Sequence, residues 1–170
     1  TRSFEVGPIR PPNEAYSLLL RVSRNCPWNR CAFCPVYKGK PFELRPAAEV
    51  EDDIAQMAAV AAELEAKDEA ARLALARQDG RFGQVARFLL RGGKQVFLQD
   101  ANALIAPVED LEAILRTLRA RFPTIERVTT YARSHTLTKR SVEELVRLRR
   151  AGLDRVHVAL ESGSDLVLAL

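Results

Sequence analysis

Cys26, Cys31 and Cys34 are the only cysteines in a chain of 170 residues. They fall within nine residues, in the run Asn-Cys-Pro-Trp-Asn-Arg-Cys-Ala-Phe-Cys-Pro. Three thiolates can hold a metal centre and leave one coordination position free for a substrate or cofactor. An odd number of cysteines at ligand spacing reads as such a site, not as a disulfide frame. Structural zinc takes four ligands, so a Cys3His site drawing on the distant His135 or His157 is one alternative. A plant-type 2Fe-2S centre shares the x4 and x2 spacing but needs a fourth cysteine, and the sequence has none. Three ordinary buried thiols are a poor account of such local density. What remains is an iron–sulfur cube held by three thiolates with its fourth iron open.

Such a centre must be positioned by a fold, and the pattern around it is α/β. Residues 17–23 (Ser-Leu-Leu-Leu-Arg-Val-Ser) read as a short apolar strand, and Pro27 and Pro35 keep the cysteine loop non-helical. From Pro46 the pattern turns helical, with Val50, Ile54, Met57, Ala61 and Leu64 at helical spacing. The alanine-rich stretch 58–76 reads as a peripheral helical insertion with a narrow apolar face. A short helix is expected over 82–91, closed by Gly92-Gly93, then a strand over 95–100. A helix over 108–121, a strand over 127–132 and a helix over 141–151 follow. Ser141 and Glu144 stand at capping-box spacing, and Gly152 at a C-cap position. A strand over 155–161 and a helix starting near Ser164 complete the series.

Strands alternating with helices predict a parallel sheet with right-handed crossovers, which a doubly wound sheet and a β/α barrel both satisfy. Strand phase favours the barrel. Val156, Val158 and Leu160 share one face and His157, Ala159 and Glu161 the other. Val128, Thr130 and Ala132 likewise oppose Thr129, Tyr131 and Arg133, and Leu18, Leu20 and Val22 oppose Leu19, Arg21 and Ser23. A sheet covered by helices on both faces would instead read as nearly continuous apolar runs. In α/β folds ligands bind beyond the C-terminal strand ends. The cysteine loop, the turns at 99–102 and 131–135 and the segment 161–164 should therefore converge.

At this point the chain resembles the radical S-adenosylmethionine (SAM) superfamily. The resemblance rests on Cys26, Cys31 and Cys34, on Phe33 just before the third cysteine, and on Glu161-Ser162-Gly163-Ser164-Asp165. That last segment is similar to one in the Elongator-, MiaB- and coproporphyrinogen-oxidase-like branch. The resemblance implies a 4Fe-4S cluster on the three cysteines, its free iron chelated by the amino and carboxylate groups of SAM. It also implies an external reducing donor of flavodoxin or ferredoxin type. One electron passes to the sulfonium and the carbon–sulfur bond breaks. Methionine and a 5′-deoxyadenosyl radical result, and the radical takes a hydrogen atom from a substrate that the residues do not identify. A non-catalytic iron–sulfur electron-transfer or zinc module is the rival reading.

Two departures stand out. The first cysteine spacing is x4 where the family has x3, so the loop must bulge by one residue. The glycine-rich turn with a glutamate that follows the family's second strand is here Gln99-Asp100-Ala101-Asn102, leaving Asp100 or Asn102 as acceptor for the SAM amino group. By the same resemblance Phe33 lies near the adenine. Glu161 and Ser162 lie near the ribose or amino group, and Tyr131 and Arg133 face the chamber, where an arginine can meet a carboxylate bidentately. His157 points inward and reads as a satisfied core residue, His135 as a loop residue. Trp28, Arg30 and Lys38 flank the ligands, placed to tune or pack the loop.

Composition sets the bounds. Apolar content of 47% and charged content of 28% suit one soluble globular domain over residues 1–170, with 1–16 an irregular lead-in. No run approaches the roughly eighteen apolar residues of a membrane helix, and no leader pattern opens the chain, so a cytoplasmic location and no membrane partner are expected. The net charge of +4 is spread among 26 basic and 22 acidic residues without a block, which does not indicate nucleic acid. The opening on Thr1 and the stop at Leu170 read as cuts, giving a partial (β/α) barrel of the radical SAM type truncated after its fourth strand.

Overall fold

In the computed structural model, which describes residues 3–78 and 80–169, four parallel strands form one sheet. Thr1 and Leu170 lie outside the described residues. The strands are β1 (Leu18–Arg21), β4 (Gln95–Gln99), β5 (Arg127–Ala132) and β6 (Arg155–Val158), side by side in that order. A second, two-stranded antiparallel ladder joins β2 (Ser23–Arg24) to β3 (Glu43–Leu44) and closes the base of the cysteine loop.

The crossovers carry the helices. Between β1 and β4 run α1 (Ala47–Glu65), α2 (Glu69–Ala76) and α3 (Arg81–Leu90). Helix α4 (Val108–Arg121) joins β4 to β5, and α5 (Ser134–Leu137) and α6 (Val142–Ala151) join β5 to β6. A single turn, α7 (Asp165–Leu168), follows β6. Among the described residues no helix is long and apolar enough to cross a membrane.

The register confirms the two faces read from strand phase. Leu18 and Leu20 lie beside Val96 and Leu98, which lie beside Val128 and Thr130. Leu18, Leu20, Val96, Leu98 and Val128 share a core with Val50, Ile54, Met57 and Leu64 of α1, Val85 of α3, Leu111 and Leu115 of α4 and Leu148 of α6. The opposite face carries Arg21, Phe97, Gln99, Thr129, Tyr131 and His157. With helices packed on one face and polar groups on the other, the sheet is part of a β/α barrel, not a doubly wound layer.

The lead-in is irregular apart from a 3-10 turn at Pro12–Glu14, yet it is bound firmly. Phe4 is buried in the core, and the buried Gln99 amide accepts from Gly7 N at 2.8 Å and donates to Ile9 O at 2.5 Å. Glu14, fully buried, meets Arg155 at 2.7 Å where β6 begins.

Three expectations are corrected. The stretch 58–76 is two helices, because α1 ends at Glu65 and Asp68 caps α2 by accepting from Ala71 N at 2.7 Å. Its first half is core, since Val60, Ala61 and Leu64 are buried, and only α2 is peripheral. The fourth strand stops at Val158 instead of 161, because its neighbour β5 ends at Ala132 and offers no further partners. Leu160, assigned to the packing face, is consequently 78% exposed.

Helix α6 shows the predicted signals at both ends. Ser141 Oγ accepts from Glu144 N at 3.1 Å and Glu144 accepts from Ser141 N at 2.8 Å, while Gly152 ends the helix at φ 119°. Ser141→Ala should therefore cost about 1 kcal/mol, read as a lower urea midpoint with an unchanged m-value.

Candidate functional site

The loop between β2 and β3 rises past the C-terminal end of β1, and two asparagines shape it. Asn25 and Asn29 adopt φ of 68° and 49°, a left-handed conformation that asparagine tolerates better than most residues. Asn29 lies in the long first interval of the cysteine motif. Its N–H donates to Cys26 Sγ at 3.5 Å, and its side-chain amide donates to Tyr37 O at 2.7 Å and Lys40 O at 3.2 Å. The extra residue is thus absorbed by a left-handed turn tied to the returning half of the loop.

All three cysteines are half-buried free thiols lining one cavity of about 440 Å³. Phe33, Tyr131, Arg133 and Glu161 share that lining, so four predicted site residues meet the cysteines. The convergence of strand ends holds for the cysteine loop, Ala101, residues 131–133 and Glu161. Burial first, then the Glu161 carboxylate and the neighbouring Cys26 and Cys34, push the Cys31 thiol up, while Lys38 opposes them. Arg133 stacks over the Trp28 ring at 4.6 Å. That contact holds its guanidinium at the cavity without a carboxylate partner among the hydrogen bonds and ion pairs described.

Asp100, Asn102 and Ser162 are placed outside the lining. Asp100 is fully buried, and its Oδ2 accepts from Arg21 Nη2 at 2.6 Å, Arg21 Nε at 2.9 Å and Asn25 N at 2.9 Å. Burial pushes its carboxyl up, against these lowering contacts. Asn102, also buried, donates to Thr136 Oγ1 at 2.8 Å and accepts from Arg133 N at 3.2 Å, fixing the end of β5. Ser162 Oγ accepts from Ser164 N at 3.1 Å.

Neither histidine joins the thiols. His135 is exposed on α5, and His157 packs its ring against Tyr131 with centroids 5.9 Å apart. Among the described residues no three or more His, Cys, Asp or Glu side chains are gathered as a single metal ion needs.

Ile9, Arg10 and Tyr37 line the cavity without having been singled out from the sequence. Ile9 and Arg10 arrive through the lead-in, a contact made across about ninety residues of chain and carried by no local pattern. Tyr37 had a signal, an aromatic residue just past the third cysteine. The lead-in makes a sharp demand at Gly7, where a Cβ would stand 1.9 Å from Asp100 Oδ1. Gly7→Ala should cost about 1–3 kcal/mol through overpacking. Thermal melting should show the loss, at about 2–4 °C for each kcal/mol.

A second cavity, about 800 Å³ between α4 and α6, is lined largely by arginines. Arg147 pairs there with Glu109 and Glu112, and Arg119 and Arg149 with Asp154. These pairs tie the two helices together, far from the cysteines.

A parallel α/β sheet with a three-thiol cavity at its C-terminal strand ends defines a class of partial β/α barrel. Residues 20–170 match the radical SAM superfamily, and the chain belongs to it. No curated protein and no solved structure matches the chain.

Proposed function

We propose that the chain binds a 4Fe-4S cluster through Cys26, Cys31 and Cys34 and cleaves SAM reductively on it. The observation behind this reading is that all three thiols line one cavity whose wall also includes Phe33, Tyr131, Arg133 and Glu161. The donor set fits such a cluster: three soft thiol ligands, with no carboxylate in residues 25–42 to compete for iron. When bound, the cluster and SAM supply one-electron cleavage of a carbon–sulfur bond and hydrogen-atom abstraction.

The chain's own residues bind and orient. Arg133, held by Trp28 and by Asn102 beneath its backbone, offers a fork for a carboxylate, and Glu161 offers an acceptor for an ammonium group. Phe33 and Tyr131 give flat apolar walls suited to a nucleoside, in the manner of other largely apolar ligand sites. The reaction needs a low-potential one-electron donor of flavodoxin or ferredoxin type and a substrate, whose identity lies with residues this cavity does not specify.

The test is anaerobic reconstitution with iron and sulfide, reduction, addition of SAM, and assay for 5′-deoxyadenosine. A brown protein that forms 5′-deoxyadenosine is expected. A colourless protein that takes up one zinc overturns the reading, and a brown protein that never cleaves SAM favours an electron-transfer role.

A further inference from the structure

Asp100 stands where the family resemblance places a SAM contact, but its surroundings point elsewhere. Its Oδ2 holds the N–H of Asn25, the residue immediately before Cys26. On its other side, Gly7 packs so closely on Oδ1 that no side chain fits between them. Oδ1 and the hydroxyl of Tyr37 have no partner at full hydrogen-bond geometry, although the two groups stand close enough to each other for a side-chain interaction to raise the phenol and lower the carboxyl. Tyr37 is 2% exposed, follows Cys34 by three residues and lines the cysteine cavity. After burial, the Asp100 carboxylate is the strongest influence raising the Tyr37 phenol, by its charge and then by a side-chain contact with the hydroxyl, so the two groups already face each other across an imperfect hydrogen bond. Buried polar atoms without partners are uncommon and costly, and a closure that satisfies both at once is favoured.

We infer that Asp100 and Tyr37 are positioning residues that clamp the cysteine loop at both ends around the loaded cluster. Asp100 fixes the entry through Asn25 N, and the Tyr37 hydroxyl donates to Asp100 Oδ1 at the exit once the three thiolates are drawn together. Arg21, itself shared with Glu5 at 2.6 Å, pairs with the carboxylate and favours its charged form against the burial that opposes it. The carboxylate is thus a fixed negative charge that opposes the added electron, and the phenol partly screens it. Such outer contacts orient metal ligands and tune the metal. This inference rests on the cluster reading above.

Tyr37→Phe removes one oxygen and keeps the ring packing. In the protein without cluster it should leave the melting temperature unchanged or raise it, because an unpartnered buried hydroxyl is deleted. In the loaded protein it should release iron to a chelator about tenfold faster, within the range for lost outer-sphere contacts. The reduction equilibrium should shift by up to about tenfold toward the oxidised state, about 59 mV for one electron. Asp100→Asn should load with cluster, since its amide oxygen still accepts from Asn25, and should shift the potential upward, opposite to Tyr37→Phe. Asp100→Ala should load poorly.

A wild-type protein that takes up no cluster overturns both readings. A wild type that loads, with Tyr37→Phe and Asp100→Asn matching it in chelator release and midpoint potential, overturns the clamp alone. Opposite shifts in potential establish it, which a purely structural role does not produce.

Discussion

Cys31→Ala is expected to reduce iron and acid-labile sulfide in anaerobically reconstituted protein to background, and 5′-deoxyadenosine formation with them. Cys31 is the middle thiol of the triplet, spaced x4 from Cys26 and x2 from Cys34, so its loss breaks both intervals. A cube with two protein thiolates has two open irons and no closed seat in the loop. The thiol makes no packing contribution that the fold depends on. It is half-buried, and the loop that carries it is held independently by Asn29, by the β2–β3 ladder and by Asp100. Far-ultraviolet circular dichroism should therefore match wild type while the visible absorption of the cluster is lost. A variant that keeps full iron and sulfide would show that the ligands lie elsewhere.

Arg21→Leu should be the most destabilising single change. It leaves the fully buried Asp100 carboxylate without its cation, and removing one partner of a buried pair costs about 3–5 kcal/mol. Glu5 loses one of its arginines too, retaining Arg24 at 2.8 Å. The deficit should depend on pH with a defined sign. Burial already holds the folded Asp100 carboxyl above its ordinary 3.8 even beside Arg21, and without Arg21 it rises further. A carboxyl raised on folding costs stability above its unfolded value and recovers it on protonation. The gap between Arg21→Leu and wild type should thus narrow as the pH falls from neutral toward 4, measured by urea unfolding across that range. A constant gap would mean that Asp100 is not the charge left behind.

Much of this was legible in the sequence for physical reasons. Helices α4 and α6 declare themselves because their apolar residues recur at 3.6 spacing and, in α6, because Ser141, Glu144 and Gly152 satisfy the free backbone groups at each end. Strand phase revealed which face would be polar, since a period of two leaves no other assignment for Thr129 and Tyr131 against Val128 and Thr130. Strand length was less legible. The pattern of 155–161 continues past Val158, and only the end of β5 at Ala132 decides that no ladder partner remains.

The candidate site divides in the same way. Thiolate chemistry depends on residue type and close spacing, so the sequence by itself determined the thiol triplet and its place after the first strand. It also determined the residues at the strand ends, Tyr131, Arg133 and Glu161, because parallel strands share one C-terminal edge. Only the tertiary structure decided what Asp100 touches. A carboxylate beside a predicted cofactor reads as a ligand until the fold shows Arg21, Asn25 and Gly7 enclosing it from three distant parts of the chain. The same holds for Ile9 and Arg10, brought to the cavity by the Gln99 amide across the polar face of the sheet. Contacts of that kind are set by packing over long chain separations, and no local period encodes them.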